Sequence, residues 1–273
     1  MGDLISKGVE KDKNLMFLKM RKLVIANWKM NPNTESEAER LVLDVQKEIS
    51  LEERQKSEIV FCPPSIFIKS VAEKLEGGFF VGAQNVFYES LGTFTGEISA
   101  DMIKSLNCKY CIVGHSERKK HFNETVDDII AKILLLLKKD IYPVICVGEE
   151  KKLTKKLDGV EGQVNKILQA IPKTKISKLI FVYEPVWAIS DGKKPSVILP
   201  SSDDVLSAKL LIQKCLVKKI GRNKISSVQI LYGGSVNAEN ICKFVGDGLM
   251  DGALIGGASL KAKEFIKIIK QIN

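Results

Sequence analysis

Eight short runs of uncharged, largely β-branched or aromatic residues recur along the chain, and they restrict its fold more than any other feature. They begin near Leu23, Ile59, Phe79, Tyr110, Tyr142, Leu179, Gln229 and Gly252. Runs of this length without charge are typical of fully buried strands. Almost every gap between them holds a stretch of helical period, and this alternation predicts a parallel sheet that is covered by helices.

Each of the clearest helical stretches has one apolar face. The i, i+3, i+4, i+7 spacing occurs in residues 38–49, 126–137, 205–216 and 265–272. Eight strand–helix units in about 250 residues favour a closed (β/α)₈ barrel over an open doubly wound sheet. The open sheet usually has a glycine-rich dinucleotide loop after its first strand, whereas this chain has Ile-Ala-Asn-Trp-Lys there.

Composition limits the class of protein. The chain has 273 residues, of which 45% are apolar and 27% charged, as is ordinary for a soluble globular protein. Its net charge of +9 comes mostly from scattered single and paired lysines, which are typical of solvated helix faces, and no nucleic-acid-binding motif accompanies them. No apolar run approaches the length of a membrane span. We therefore expect no nucleic-acid or membrane partner, although a basic surface helps to attract a small anionic substrate.

The six cysteines lie in apolar segments, and no secretory signal precedes them. This pattern is typical of reduced, buried thiols in a cytoplasmic protein. Cys108 and Cys111 form a C-x-x-C pair, but the pair lies before and inside a predicted strand and has no partner pair or nearby histidines. A structural role is favoured over redox or zinc chemistry, so we expect no metal site.

Residues 1–21 differ from the rest of the chain. They are polar, of mixed charge and without clear periodicity, and they lack the apolar stretch of a signal peptide. The first residues fit the loose myristoylation pattern, which without a basic partner segment is better explained by chance. We predict a mobile N-terminal extension of residues 1–21 before a single barrel domain of residues 22–273. A later start at Met16 or Met20 is the alternative.

In a barrel the carboxyl ends of all eight strands open on one face, so residues that follow different strands become neighbours. Five of the predicted strands are followed by residues suited to chemistry: Asn27 and Lys29, His115, Glu184, Gly233-Gly234-Ser235, and Gly256-Gly257. Each alone is more simply explained by a tight turn, a structural histidine or a solvated charge. Together they supply a base, an electrophile, a cation and two glycine-rich loops on one face.

These residues suit one reaction. Glu184 directly follows an uncharged strand that Pro185 ends, and a carboxylate held there can remove a proton from a carbon next to a carbonyl. His115 lies where the chain leaves a strand for a helical turn, whose positive end disfavours imidazolium, so a neutral ring can donate to the developing enolate oxygen. Lys29 adds positive charge beside the same oxygens. The apolar segment 185–192 is predicted to close as a lid that excludes water.

The glycine-rich loops predict a phosphorylated substrate. Gly234-Ser235 and Gly256-Gly257 follow the last two strands, where (β/α)₈ barrels often bind phosphate. Glycines allow backbone N–H groups to approach an anion closely near a helix start.

Six stretches resemble the triosephosphate isomerase family, and they occur in the family's order from about residue 22 to the end of the chain. They are Asn27-Trp28-Lys29-Met30-Asn31, Thr95-Gly96-Glu97, Val113-Gly114-His115-Ser116-Glu117-Arg118, Tyr183-Glu184-Pro185-Val186-Trp187-Ala188-Ile189, Tyr232-Gly233-Gly234-Ser235-Val236 and Asp251-Gly252-Ala253-Leu254-Ile255-Gly256-Gly257-Ala258-Ser259-Leu260. The histidine and glutamate blocks are highly specific. The resemblance implies the TIM barrel and the interconversion of dihydroxyacetone phosphate and D-glyceraldehyde 3-phosphate, in glycolysis and gluconeogenesis, without a cofactor.

The resemblance also implies roles for individual residues. Glu184 is then the base, His115 the electrophile, and Asn27 and Lys29 orient the substrate and stabilise charge. The phosphate is held by the backbone at Ser190, Ser235, Gly256 and Gly257.

Three supporting residues complete this expectation. Glu117 pairs with the lysine at position 29, and Cys146 is placed beside the site. Thr95 lies on a loop that in the family inserts into a second subunit, so the resemblance implies a homodimer.

Three positions depart from the family pattern. Ser190 stands where the family usually has glycine, and residues 193–199 are about three residues longer than usual, which loops tolerate at small entropic cost. We expect lid closure to be slower or differently shaped. Lys119 replaces the second of two arginines, and an ammonium cannot reproduce a bidentate contact of a guanidinium.

Two other functions stay open at this point. A phosphate-binding barrel that catalyses an aldol or ring-opening step typically needs a Schiff-base lysine in mid-barrel, and the predicted strands contain none. A non-catalytic barrel relative that binds anionic partners through its basic surface fits the net charge and the altered lid.

Overall fold

The protein is a closed barrel of eight parallel strands. The computed structural model describes residues 21–151, 158–189, 199–246 and 249–273, with the backbone alone for Asp158. The strands follow one another around the ring in chain order, and β1 pairs with β8. They are β1 (Lys22–Asn27), β2 (Ser57–Cys62), β3 (Phe79–Ala83), β4 (Tyr110–Val113), β5 (Tyr142–Val147), β6 (Ile180–Tyr183), β7 (Gln229–Tyr232) and β8 (Gly252–Ile255). The predicted (β/α)₈ barrel is confirmed.

Helices surround the barrel. In the described ranges the α-helices are α1 (Glu35–Glu48), α2 (Leu51–Lys56), α3 (Ile68–Lys74), α4 (Ala100–Ser105), α5 (Ser116–Phe122), α6 (Val126–Lys138), α7 (Asp158–Ala170), α8 (Ser202–Ile220), α9 (Ile241–Val245) and α10 (Ala262–Ile272). Short 3-10 helices span Ser65–Phe67, Lys173–Lys178, Val186–Ala188, Arg222–Ser227 and Gly257–Leu260. No helix in the described ranges is long and apolar enough to cross a membrane.

The sequence supplies the signals that start and end these helices. The Thr34 side chain caps α1 by accepting a hydrogen bond from the Glu37 N–H, and the Glu37 carboxylate accepts one from the Thr34 N–H. Ser201 caps α8 with the same reciprocal arrangement. The last turn of α8 is followed by Gly221, whose φ of 83° suits glycine.

Two apolar layers form the core because side chains alternate along each strand. In β1, Leu23 and Ile25 belong to the cluster inside the barrel, whereas Val24 and Ala26 pack against the helices. The helices cover the outer layer with the apolar faces expected from their period, for example Val205, Ala208, Ile212, Cys215 and Leu216 of α8. In the described strands, the inner layer of side chains fills the centre of the barrel and supports the strand ends.

The ring closes where β8 meets β1, and this closure requires Gly252. Leu23 is its partner in the register, and a Cβ at position 252 would lie 1.9 Å from the Leu23 carbonyl oxygen. The φ of Gly252, +157°, also disfavours other residues.

Charged contacts lie at the amino ends of the strands, on the face opposite the predicted site. Glu58 accepts hydrogen bonds from Lys109 and Tyr110. Arg21, which we assigned to the extension, already contacts the barrel, since its guanidinium donates to the carbonyl oxygens of Arg54 (2.8 Å) and Ser57 (3.2 Å). The remainder of the predicted extension, residues 1–20, lies outside the described residues.

Candidate active site

The carboxyl ends of the strands surround a cavity of about 310 Å³. Among the residues that line it are Asn27, Lys29, His115, Glu184, Ser235, Gly256 and Gly257. The structure therefore brings together every predicted catalytic or substrate-binding residue that it describes. Residues 190–198, which include Ser190 and the end of the predicted lid, lie outside the described residues.

Glu184 and His115 contact each other beside this cavity. Glu184 directly follows β6 and is 2% exposed, and its Oε1 lies 3.1 Å from His115 Nε2. Its Oε2 accepts a hydrogen bond of 2.9 Å from the Ser116 N–H. Both carboxylate oxygens are thus held in place and kept from bulk water, as a positioned general base requires.

His115 is the N-cap residue of α5. Its Nδ1 accepts a hydrogen bond of 3.3 Å from the Glu117 N–H. Because Nδ1 acts as the acceptor, the proton of the neutral ring lies on Nε2, which faces Glu184 and the cavity. A neutral His115 can therefore donate to an oxygen of a molecule bound in the cavity.

Lys29 supplies a cation on a strained and well-held backbone. Its φ is 54°, its N–H donates to Asn27 Oδ1 (3.1 Å), and its carbonyl oxygen accepts from Gln84 Nε2 (2.8 Å). Its Nζ donates to Glu117 Oε1 at 2.5 Å, which is the pairing implied by the family resemblance. Burial raises the pKa of Glu117, but the hydrogen bond and charge of Lys29 outweigh burial and hold this pKa below its ordinary value.

Two turns of small residues form another part of the wall. Gly256 and Gly257 follow β8, and a Cβ at Gly257 would meet nothing within 4 Å, so the backbone there is accessible. Ser235 follows β7, and its carbonyl oxygen accepts a hydrogen bond of 3.1 Å from Asn240 Nδ2. The Ser235 hydroxyl donates to the Ala188 carbonyl oxygen (3.1 Å), which joins this turn to the start of the lid. Accessible backbone in such turns suits an anionic group such as phosphate.

The cysteines near the site are buried thiols. Burial raises the pKa of Cys146, and the nearby Glu184 carboxylate raises it further. Cys108 and Cys111 are also free and buried, and burial raises the pKa of Cys108 to about 12. Protonated thiols of this kind are poor nucleophiles and poor metal ligands. Among the residues that the structure describes, no group of three or more His, Cys, Asp or Glu is arranged to hold a metal ion.

Glu149 is a buried carboxylate that the sequence analysis missed. Its Oε1 accepts hydrogen bonds of 2.8 Å from the Tyr183 hydroxyl and from Trp187 Nε1. Burial, with the Glu149 charge, raises the pKa of Tyr183 and keeps its hydroxyl a donor. Glu149 therefore links Tyr183 and Trp187, which lie before and after Glu184, to the chain just past the end of β5. In the sequence it begins the charged run Glu-Glu-Lys-Lys, which gives no sign that one member is buried.

Lys119, which stands where the family usually has an arginine, makes two side-chain hydrogen bonds. Its Nζ donates to the Cys146 carbonyl oxygen and to Gln163 Oε1, at 3.2 Å each. A single ammonium therefore reaches two acceptors, one in β5 and one on α7, without the planar fork of a guanidinium.

A second cavity, of about 830 Å³, adjoins the first and shares Asn27, Lys29 and His115 with it. Thr95 lies on an exposed loop near this opening, and Leu91 and Phe94 of the same loop are 90% and 40% exposed. The insertion of this loop into a second subunit stays a prediction.

Comparison with known proteins agrees with the geometry of the site. The family model described as triosephosphate isomerase matches residues 22–272. The chain belongs to the triosephosphate isomerase family. The family resemblance of the motifs is confirmed, and with it the expectation that the chain is an isomerase enzyme of this family. The match begins at residue 22, which leaves the predicted N-terminal extension outside it.

This chain matches individual members of the triosephosphate isomerase family over nearly their whole length. The protein named triosephosphate isomerase from Caldanaerobacter subterraneus subsp. tengcongensis is 39% identical over 255 residues, which cover 92% of this chain and 99% of that relative. Its counterpart from Dictyoglomus turgidum is 40% identical over 255 residues, with the same coverage. A third, from Dehalococcoides mccartyi, is 39% identical over 259 residues and is 97% covered.

Proposed function

We propose that the protein interconverts dihydroxyacetone phosphate and D-glyceraldehyde 3-phosphate, with Glu184 as the base and without a cofactor. The observation that carries this proposal is the 3.1 Å contact between Glu184 Oε1 and His115 Nε2 beside a cavity that also holds Lys29. A base, a donor and a cation around one cavity are the groups that proton transfer next to a carbonyl needs.

In the proposed step, the Glu184 carboxylate takes a proton from the carbon next to the substrate carbonyl. The C–H electron pair becomes the C=C bond of an enediolate, and negative charge develops on the former carbonyl oxygen. The Nε2–H of His115 donates to that oxygen and Lys29 stabilises its charge, while Asn27 orients the substrate. Glu184 then returns its proton to the neighbouring carbon, and the hydroxyl proton passes to the other oxygen, so no atom is gained or lost.

The substrate phosphate would lie against the small-residue turns. Accessible backbone at Ser235, Gly256 and Gly257 supports this assignment, and the proposal adds Ser190 from the family resemblance. Binding of the phosphate away from the reacting carbons leaves Glu184 free to act on them.

The decisive variant is Glu184→Gln, which keeps the shape of the side chain but removes the base. We expect turnover of glyceraldehyde 3-phosphate in a coupled spectrophotometric assay to fall about 10²- to 10⁴-fold, with circular dichroism unchanged. Glu239→Gln is the matched control, since Glu239 is an exposed carboxylate on the same face of the barrel. Wild-type turnover in Glu184→Gln would eliminate Glu184 as the base.

The same measurements separate the two alternative functions. An inactive wild-type protein that binds nucleic acid in a salt-dependent manner would support the non-catalytic relative. A covalent adduct trapped by borohydride with substrate would support Schiff-base chemistry instead.

The proposal includes a homodimer in which the Thr95 loop of one chain enters the 830 Å³ cavity of the other. The exposed apolar side chains Leu91 and Phe94, and Met30 at the cavity rim, 90% exposed, support it, because such surfaces usually meet a partner. We expect light scattering to give twice the mass of one chain. Thr95→Arg should reduce that mass by placing a cation near Arg118 of the cavity, whereas Thr174→Arg, at an exposed site elsewhere, should not. A monomeric wild type would contradict the dimer.

We also propose that the enzyme works in the cytoplasm, in glycolysis and gluconeogenesis. The six free cysteines support a reducing compartment. Cell fractionation tests this location, and recovery of the protein with extracellular or membrane fractions would contradict it.

A further inference from the structure

The residues 146–149, called here the β5 turn, accept a hydrogen bond at each of four successive carbonyl oxygens. Two of the donors belong to the segment that carries the proposed base. The Glu184 N–H donates to Val147 at 2.8 Å, and the Val186 N–H donates to Glu149 at 3.1 Å. The position of Glu184 therefore depends directly on the position of the β5 turn.

The other two donors are side chains from helices outside this segment. Lys119 Nζ, on α5, donates to the Cys146 carbonyl oxygen at 3.2 Å. Gln163 Nε2, on α7, donates to the Gly148 carbonyl oxygen at 2.8 Å. The two side chains also bond to each other, since Lys119 Nζ donates to Gln163 Oε1 at 3.2 Å. They hold alternate carbonyl groups of the β5 turn as one connected unit.

The backbone of the β5 turn packs directly against the backbone of Glu184. A Cβ placed on Gly148 would lie 1.8 Å from the Glu184 carbonyl oxygen, which means that the two backbones are already as close as glycine allows. A shift of the β5 turn toward β6 must then move Glu184, and a shift away breaks the 2.8 Å hydrogen bond to Val147.

We infer that Lys119 and Gln163 form a positioning pair that fixes the β5 turn and, through it, the carboxylate of Glu184. This inference rests on the proposed function of Glu184 as the base. Neither side chain is among the described residues that line the 310 Å³ or the 830 Å³ cavity, so both act through the backbone and not on the substrate. The pair extends the site to two helices, α5 and α7.

The test uses Lys119→Met and Gln163→Met, which keep the length of each side chain but remove its hydrogen bonds. We expect kcat to fall about 10- to 100-fold while KM changes less than about twofold, because misplacement of a reacting group by about 1 Å can cost 10²-fold in rate. Lys119→Arg should keep kcat within about twofold. The double variant should lose little more than the larger single loss, as expected for two residues that act as a unit.

Lys120→Met is the matched control, because Lys120 is the next residue of α5 and is exposed. Thermal unfolding of each variant separates positioning from folding, since a purely structural role would lower the melting temperature and leave kcat per folded molecule unchanged. That result, or a Lys119→Met variant with wild-type kcat, overturns the positioning pair. An inactive wild type or a fully active Glu184→Gln would instead overturn the proposed function.

Discussion

Replacement of Gly148 by alanine tests how tightly Glu184 is held by the backbone beside it. A Cβ at position 148 would lie 1.8 Å from the Glu184 carbonyl oxygen and 2.7 Å from its carbonyl carbon. Non-bonded heavy atoms are most favourably separated by about 3.5 Å, so one of the two backbones must move by about 1.5 Å or more. Both contacts are with backbone atoms, and no side-chain rotation can relieve them.

The size of this shift sets the expected effect. Misplacement of a catalytic group by about 1 Å can lower the rate 10²-fold, and we expect kcat of Gly148→Ala to fall by at least that factor of about 100. Overpacking of a tight interior typically costs about 1–3 kcal/mol, which we expect as the loss in free energy of unfolding. A coupled spectrophotometric assay measures the first quantity and urea denaturation the second.

Gly162→Ala provides the matched glycine control. Gly162 lies inside α7, and a Cβ there would meet nothing within 4 Å. Alanine is favoured over glycine in a helix by about 0.5–1 kcal/mol, so this variant should be more stable by about that amount and fully active. If Gly148→Ala keeps the kcat of wild type, the close packing at β5 does not determine where Glu184 lies, and the reasoning is refuted.

Three other substitutions test contacts around the site. Because the pKa of Glu117 is lowered in the folded protein, this carboxylate stabilises the fold above its ordinary pKa and loses that contribution as pH falls through the lowered value. The free energy of unfolding, measured by urea denaturation, should thus fall more between pH 5 and pH 3 in wild type than in Glu117→Gln. Equal losses would contradict the lowering of the Glu117 pKa by Lys29. Glu149→Leu leaves the buried Tyr183 hydroxyl without its acceptor, which should cost about 1–3 kcal/mol of unfolding free energy, and a loss of under 1 kcal/mol in chemical denaturation would contradict this. Lys132→Met removes the hydrogen-bonded cation beside the buried Glu124 carboxylate and leaves it only the Arg118 guanidinium at 3.7 Å, so it should cost up to about 3–5 kcal/mol in the same assay. Adding Glu124→Leu should restore part of the loss, and no recovery would argue against a poorly compensated buried charge as the cause.

The sequence predicted the barrel and most of the site because both depend on local signals. An uncharged run followed at once by a polar residue marks a strand end, and Asn27 and Glu184 both stand at such ends. Once the fold is a closed parallel barrel, all strand ends share one face, so convergence of these residues follows from topology alone.

The supporting contacts could not be predicted in this way. Lys132 lies within the apolar period of α6 and is 3% exposed, although a lysine there usually reaches solvent. Its burial depends on Asn85, whose Oδ1 accepts from Lys132 Nζ at 2.8 Å, and on Glu124, which are brought to it by the fold. Glu149 is similar, since its two donors come from β6 and the lid. Apart from the pairing of Lys132 with Glu124, which are eight residues apart, these contacts join residues at least 34 positions apart, and the periodicity of the sequence does not indicate them.

The pairing of Leu23 with Gly252 has a consequence for how the protein is made. During synthesis β1 leaves the ribosome first and β8 last, so the emerging polypeptide exposes an unpaired sheet edge until almost the whole chain is available. The glycine pair that follows β8 arrives at the same late moment. A polypeptide cut short before β8 would therefore lack both the strand that closes the ring and the two glycines that line the cavity. We expect such a truncated polypeptide to have no isomerase activity.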